Sequence, residues 1–183
     1  DYPIHGSIHE KEANHNLVLL LGKNIEQIKN ECKNEWDNKI KVWKYDLVGT
    51  GGWKNFEQLL FVLNNTINYV ILRNFEKFPD ISDIKNSGDI DLLSDELWQI
   101  PYILNFEKQI KGDTSGYNRT VIDSSSIKFD IKFVGDRYID EKWSKEILKQ
   151  REKNVNGFYT PSKEDHFFTL LYHITYQKAK FSM

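Results

Sequence analysis

A single cysteine, Cys32, stands in a chain of 183 residues that also holds one methionine and four prolines. One thiol cannot close an internal disulfide, and no Cys/His spacing of the kind that binds zinc is present. A reducing, cytoplasmic setting is the expectation. Long apolar runs are missing too. The longest, Leu17 to Leu21, falls far short of the roughly 20 residues a helix needs to cross a bilayer, so membrane insertion is not expected. Nor is there an excess of one charge: 25 Lys and Arg face 27 Asp and Glu, for a formal net charge of -2. Without a basic field nothing gathers a long polynucleotide backbone, although a short nucleotide is not excluded. No segment is repetitive enough to read as disordered.

What the chain does have is core-forming material, with 39% hydrophobic and 14% aromatic residues, enough for one domain and a small appendage. It opens at "DYPIHGS" and stops within a helical pattern at "YQKAKFSM", so a piece of a longer protein flanked by other domains is expected. "HEKEANHNLVLLLG" reads as a helix closed by Gly22. Ile25, Ile28, Cys32 and Trp36 recur at helical spacing, which predicts a second helix packed on the first. The glycines of "DLVGTGGW" form the one linker, placing a helical extension over residues 1–50 and a second unit over 51–183. That unit starts with a helix, "NFEQLLFVLNN", followed by a strand over 67–73 and a long loop through Pro79. A second strand in "NSGDIDLL" leads to a helix over 97–110, then a hairpin of "YNRTVID" and "SIKFDIKFVG". Helices over 140–154 and 161–179 end the chain. The expected class is α+β: a small mixed sheet flanked by helices. The five tryptophans read as core or helix-packing residues.

Two carboxylates one residue apart in "NSGDIDLL" need a reason. In a strand, alternate side chains share a face, so Asp89 and Asp91 project together about 7 Å apart while Ile90 and Leu92 point inward. Two half-buried like charges repel unless a cation lies between them, and a divalent metal serves that purpose economically. In "SIKFDIKFV" the apolar residues alternate with Lys128, Asp130 and Lys132, which sets Asp130 in the middle of a polar face. If the two strands lie side by side, Asp130 completes an oxygen cluster suited to a hard cation such as magnesium. Lys128 and Lys132 would hold phosphate or offset the acids. The plainer alternative is a solvated strand face with no ligand.

The ordered pattern of strand, G-D-I-D-L-L, helix and later strand with a central Asp resembles the nucleotidyltransferase superfamily, which includes polymerase beta, the aminoglycoside nucleotidyltransferases and the minimal nucleotidyltransferases. The likeness covers residues 55–178. It implies that Asp89 and Asp91 bind the metal, magnesium or manganese, and that Asp130 is the third carboxylate. It also implies a nucleoside triphosphate substrate and in-line transfer by a metal clamp. Where that family has Gly-Ser after its first strand, this chain has Arg73-Asn74, and Ser87-Gly88 stands directly before the acidic pair. Ser87, Gly88, Arg73, Lys128 and Lys132 would then meet the nucleotide, with Arg73, in place of the family's turn, gripping phosphate bidentately. "VILRNFEKFPD" with "GDIDLLSDE" is most similar to nucleotidyltransferase-like domains inside surface-polysaccharide assembly proteins, which implies a sugar, polyol or glycan acceptor. A catalytically inactive scaffold or binding module within such a protein is the alternative. A second, short likeness lies at "PIHGS" with "EKEANHNL", which resembles the segment of nucleoside-diphosphate kinases that carries the phosphorylated histidine, here His5; it is the edge of a kinase-like domain or a coincidence. His173 shares one helix face with His166, Leu170 and Gln177 and would serve as a proton carrier, a substrate contact or an interfacial residue.

Overall fold

The computed structural model describes residues 6–40, 42, 44, 46–76, 78, 88–106 and 118–177. His5, Trp43, Pro79, Ser87 and residues 107–110 of the helix expected over 97–110 lie outside them; of its described part only Ile100–Ile103 is helical.

Three helices come first: α1 (Glu10–Leu21), α2 (Ile25–Glu31) and α3 (Phe56–Thr66). Each begins where a side chain accepts from an orphan amide of the first turn, His9 for α1, Asn24 for α2 and Asn55 for α3. Gly22 ends α1 in the left-handed conformation, its N–H reaching the Val18 carbonyl. The second helix is shorter than its apolar spacing predicts. It stops at Glu31, and Trp36 beyond it is 71% exposed rather than packed. Trp98 is likewise solvent-facing, because it sits in a turn and not on a buried helix face. Trp53 does enter the core, where its indole Nε1 donates to the Leu104 carbonyl at 3.2 Å.

Four strands form the main sheet: β1 (Tyr69–Arg73), β2 (Asp89–Ser94), β3 (Asn118–Ile122) and β4 (Ser125–Phe133). Their spatial order is β1-β2-β4-β3, and the sheet is mixed. β2 runs antiparallel to β1 and parallel to β4, while β3 and β4 make an antiparallel hairpin. The hairpin turns through Asp123 and Ser124, both at positive φ (47° and 59°), the paired left-handed geometry of a two-residue connection that matches the strands' own twist. Between β2 and the hairpin, among the described residues, lies a four-residue helix, α4 (Ile100–Ile103), with Pro101 in its first turn. After β4 come α5 (Glu141–Lys149), a short two-stranded ribbon of β5 (Glu152–Lys153) and β6 (Tyr159–Thr160), and α6 (Lys163–Tyr172), which runs into a π-turn at His173–Gln177. The ribbon replaces the last turn of helix expected over 140–154.

Strand alternation divides the sheet into two faces. On one face Tyr69, Ile71, Ile90, Leu92, Ile127 and Phe129 pack with Leu59 and Leu63 of α3. Val18 and Val48, from the segment expected to be an extension, join this same core. On the other face Val70, Leu72 and Leu93 pack with Ile139, Ile147 and Leu148. That second cluster covers the β1 side of the sheet; the polar residues of β2 and β4 occupy the rest of the face.

The turn at Gly49–Gly52 lets Trp53 bridge to Ile122 at the hairpin edge. Gly49 has φ 87°, and a β-carbon there would lie 2.5 Å from the Trp53 ring, whereas Gly51, at φ 86°, faces open space. Gly51→Ala should therefore cost about 1–2 kcal/mol for the left-handed backbone alone. Gly49→Ala should cost a further 1–3 kcal/mol or so for overpacking the ring. Urea unfolding of both variants measures the difference, and equal losses would show that the Trp53 contact is unimportant.

Candidate functional site

The acidic pair lies on the central strand. Asp89 and Asp91 flank Ile90, which is 1% exposed on the α3 face, so both aspartates belong to the opposite face. In the parallel pairing of β2 with β4, Asp91 stands directly beside Asp130, and Asp89 beside Lys128. Residues in register on neighbouring strands share a face. Asp89, Asp91, Lys128, Asp130 and Lys132 therefore share one side of the sheet, as the two alternating patterns require.

Arg73 arrives there by an irregularity. Tyr69, Val70 and Ile71 pair in order with Ser94, Leu93 and Leu92, a register that would set Arg73 opposite Ile90 on the apolar face. One extra residue, Leu72, shifts the pairing so that Arg73 meets Asp91 instead. A bulge of this kind re-aims every side chain beyond it. The Arg73 guanidinium closes a two-pronged bond on Asp91: Nε donates to Oδ2 at 3.1 Å and Nη2 to Oδ1. Both residues are buried, at 9% and 2% exposure. The next residue, Asn74, takes φ 61°, and its Nδ2 donates to the Asp89 carbonyl at 3.3 Å and to Asp91 Oδ2 at 3.5 Å. The Arg-Asn pair thus serves the acidic strand. The fork expected on a phosphate lies on a carboxylate.

Lys132 Nζ donates to Asp130 Oδ1 at 2.8 Å and stands 4.4 Å from the centroid of the Tyr138 ring. Arg73 Cζ lies 6.0 Å from the same centroid. Tyr138 thus forms a wall between two cations. Asp136 positions it, accepting from the backbone N–H of Phe133 at 3.0 Å and of Tyr138 at 2.7 Å. Behind the wall, the Tyr138 hydroxyl is 3.4 Å from His173 Nδ1, so this phenol links His173 to the cluster. His166 packs on the Phe75 ring at 4.7 Å between centroids. Asn74 drew notice in the sequence only as half of the pair in place of Gly-Ser, not as a partner of the acidic strand, and Tyr138 drew none. The Gly-Asp turn after β4 was the available signal for Tyr138, and a left-handed Asn after a strand leaves none.

Charge is set by this geometry. Burial pushes the Asp91 carboxyl above the usual carboxylate range, and the negative charges of Asp89 and Asp130 add to the push against the pull of Arg73. Burial also works against the Arg73 cation, but Asp91 outweighs it and the guanidinium is held more firmly protonated than usual. The two-pronged geometry favours an ionised pair, with Asp91 still short of positive charge because two further acids lie near it. Asp89 makes no hydrogen bond or ion pair through its carboxylate to any described residue.

Among the described residues no group of three His, Cys, Asp or Glu side chains is placed to hold a metal ion. The donor chemistry nevertheless suits a hard divalent cation: three carboxylates share one face, one of them buried beside two like charges, with Arg73 and Lys132 standing where compensation is needed. An apolar groove of about 600 Å³ on α6, lined by Trp143, Phe168, Leu171, Tyr172, Thr175 and Tyr176, offers rings and hydroxyls but no carboxylate or cation. Comparison with protein-family models, with curated proteins and with solved structures finds no match for this chain.

The burial contrast is testable. Asp91→Asn leaves Arg73 uncompensated and should cost about 3–5 kcal/mol in chemical unfolding. Asp130→Asn breaks a more open pair and should cost about 1 kcal/mol or less. A smaller loss for Asp91→Asn than for Asp130→Asn would contradict the assigned burial.

Proposed function

We propose that this chain is a nucleotidyltransferase-like domain that moves a nucleotidyl or phosphoryl group from a nucleoside triphosphate to the hydroxyl of a sugar, polyol or glycan. The supporting observation is the register of two parallel strands, which sets Asp130 beside Asp91 with Asp89 on the same face. The order of elements agrees with that reading: helix, strand, acidic strand, short helix, then a hairpin whose second strand bears the third carboxylate. Asp89, Asp91 and Asp130 would hold magnesium or manganese. Such an ion would supply charge neutralisation on the triphosphate and a more acidic acceptor hydroxyl. The protein's own part would be to orient and to move a proton. Asp130 would accept the hydroxyl proton on its carboxylate, with Lys132 holding that carboxylate in place. Lys128, beside Asp89, would meet phosphate oxygens as a point charge. Gly88, at φ 112° and with no atom of the described residues within 4 Å of where a β-carbon would stand, would admit a phosphate close to the backbone just before Asp89.

A non-catalytic binding module is the second reading, favoured by one observation: both oxygens of Asp91 are taken up by Arg73. Thermal melting with magnesium and each nucleoside triphosphate tests the site. Nucleotide at about 100 times its dissociation constant should stabilise the protein by roughly 2.7 kcal/mol, and the shift should vanish in Asp89→Asn. Labelled triphosphate with pooled sugars and polyol phosphates then reads transfer, which Asp130→Asn should reduce about 100-fold or more. Binding without transfer would select the second reading; no magnesium-dependent shift with any nucleotide would sink both.

A further inference from the structure

Arg73 does more than fill space beside an acid. Its Nε and Nη2 occupy the two oxygens of Asp91, while its Nη1 is buried and has no partner in hydrogen-bond geometry, although the Tyr138 phenol is near enough to favour the cation. The regular course of β1 does not produce this arrangement. With regular pairing β1 would put residue 73 on the apolar face, and only the extra residue at Leu72 turns it to the acidic one. A buried donor without an acceptor costs stability, as does taking both charges out of water.

We propose that Arg73 is a positioning residue that acts as a built-in counter-cation. It holds Asp91 in place of the metal, and must hand its fork to a phosphate before a divalent ion can reach both oxygens of that carboxylate. This rests on the transferase reading above and adds to it an order of events. The exchange conserves charge: the guanidinium passes from a carboxylate to a phosphate, two oxyanions its planar fork fits equally well, and the divalent ion takes the place left beside Asp91. The bare protein is therefore a poor metal binder. Triphosphate and metal bind as mutually dependent ligands, and the coupling between them runs through one side chain.

Manganese binding, monitored by the electron paramagnetic signal of the free ion, tests this without any assay of activity. In the absence of nucleotide, Arg73→Gln should bind manganese at least tenfold more tightly than the wild-type chain, since a competing cation is gone and both Asp91 oxygens are open. Manganese should also raise the melting temperature of Arg73→Gln more than that of wild type, because the ion restores compensation to a buried carboxylate. Should Arg73→Gln fail to fold, Arg73→Lys carries the same comparison: it keeps the charge but loses the fork, and should bind manganese several-fold more tightly than wild type. With a non-hydrolysable triphosphate present, wild type and variant should converge. Equal manganese affinity without nucleotide would overturn the counter-cation role while leaving the transferase reading in place. Absence of manganese binding in every form, with or without nucleotide, would overturn both together.

Discussion

The contact between Arg73 and Asp91 constrains everything around it. A carboxylate on the central strand of a small sheet, 2% exposed and flanked by two more acids, cannot stand without a cation. The chain supplies one from the neighbouring strand by inserting a residue. The inserted Leu72 keeps its own side chain in the second apolar cluster, so the bulge leaves the packing of β1 intact and re-aims only Arg73 at the strand's end. Burying such a pair is not a route to stability, since a well-packed apolar pair of the same volume commonly does as well or better. The charges are therefore a feature that packing alone does not explain. That is why the acidic face invites a chemical reading.

Much of this face was visible in the order of residues. Alternation in "NSGDIDLL" and "SIKFDIKFV" assigns each aspartate a side, and a period of two leaves little freedom once Ile90 and Phe129 are taken to be inside. The hairpin between Ile122 and Ser125 was likewise readable, because two apolar runs meet at a two-residue polar turn. Arg73's aim was not readable. A bulge is one extra residue in an otherwise regular strand, and alternation counted from Tyr69 places Arg73 on the wrong face with no local mark of the error. Trp36 and Trp98 failed for a different reason: helical spacing says which residues share a stripe, but α2 ends before Trp36 and a turn holds Trp98. The ribbon at Glu152 and Tyr159 is two residues a side, too short for any period to show.

Only part of the second sheet face is open to chemistry, and the division is set by where α5 and α6 sit. Both pack against β1, and α5 also reaches β2, through Ile147 and Leu148 over Val70, Leu72 and Leu93. Tyr138 stands at the border. Its ring is turned to Lys132 and Arg73, and its hydroxyl points back towards His173. Burial pushes this phenol above its ordinary range, against the pull of Arg73, so at neutral pH it remains a neutral hydrogen-bonding wall. His173 is thereby separated from the carboxylates by one aromatic side chain, which favours an interfacial role over direct proton transfer.

The balance of charge on the open half restricts what it can receive. Asp89, Asp91 and Asp130 are matched by Arg73, Lys128 and Lys132, and two of those cations are already bonded to two of those acids. A bare anion approaching Arg73 or Lys132 must first break an ion pair and then face a freed carboxylate. A bare divalent cation meets the reverse problem at Asp91. A ligand that brings both signs at once avoids each penalty, because every pair it opens is closed again by a partner of the right charge. A metal-bound polyphosphate is the common biological ligand of that kind. On the proposed reading the self-neutralised face would select against simple ions of either sign, with its resting ion pairs as the means of that selection.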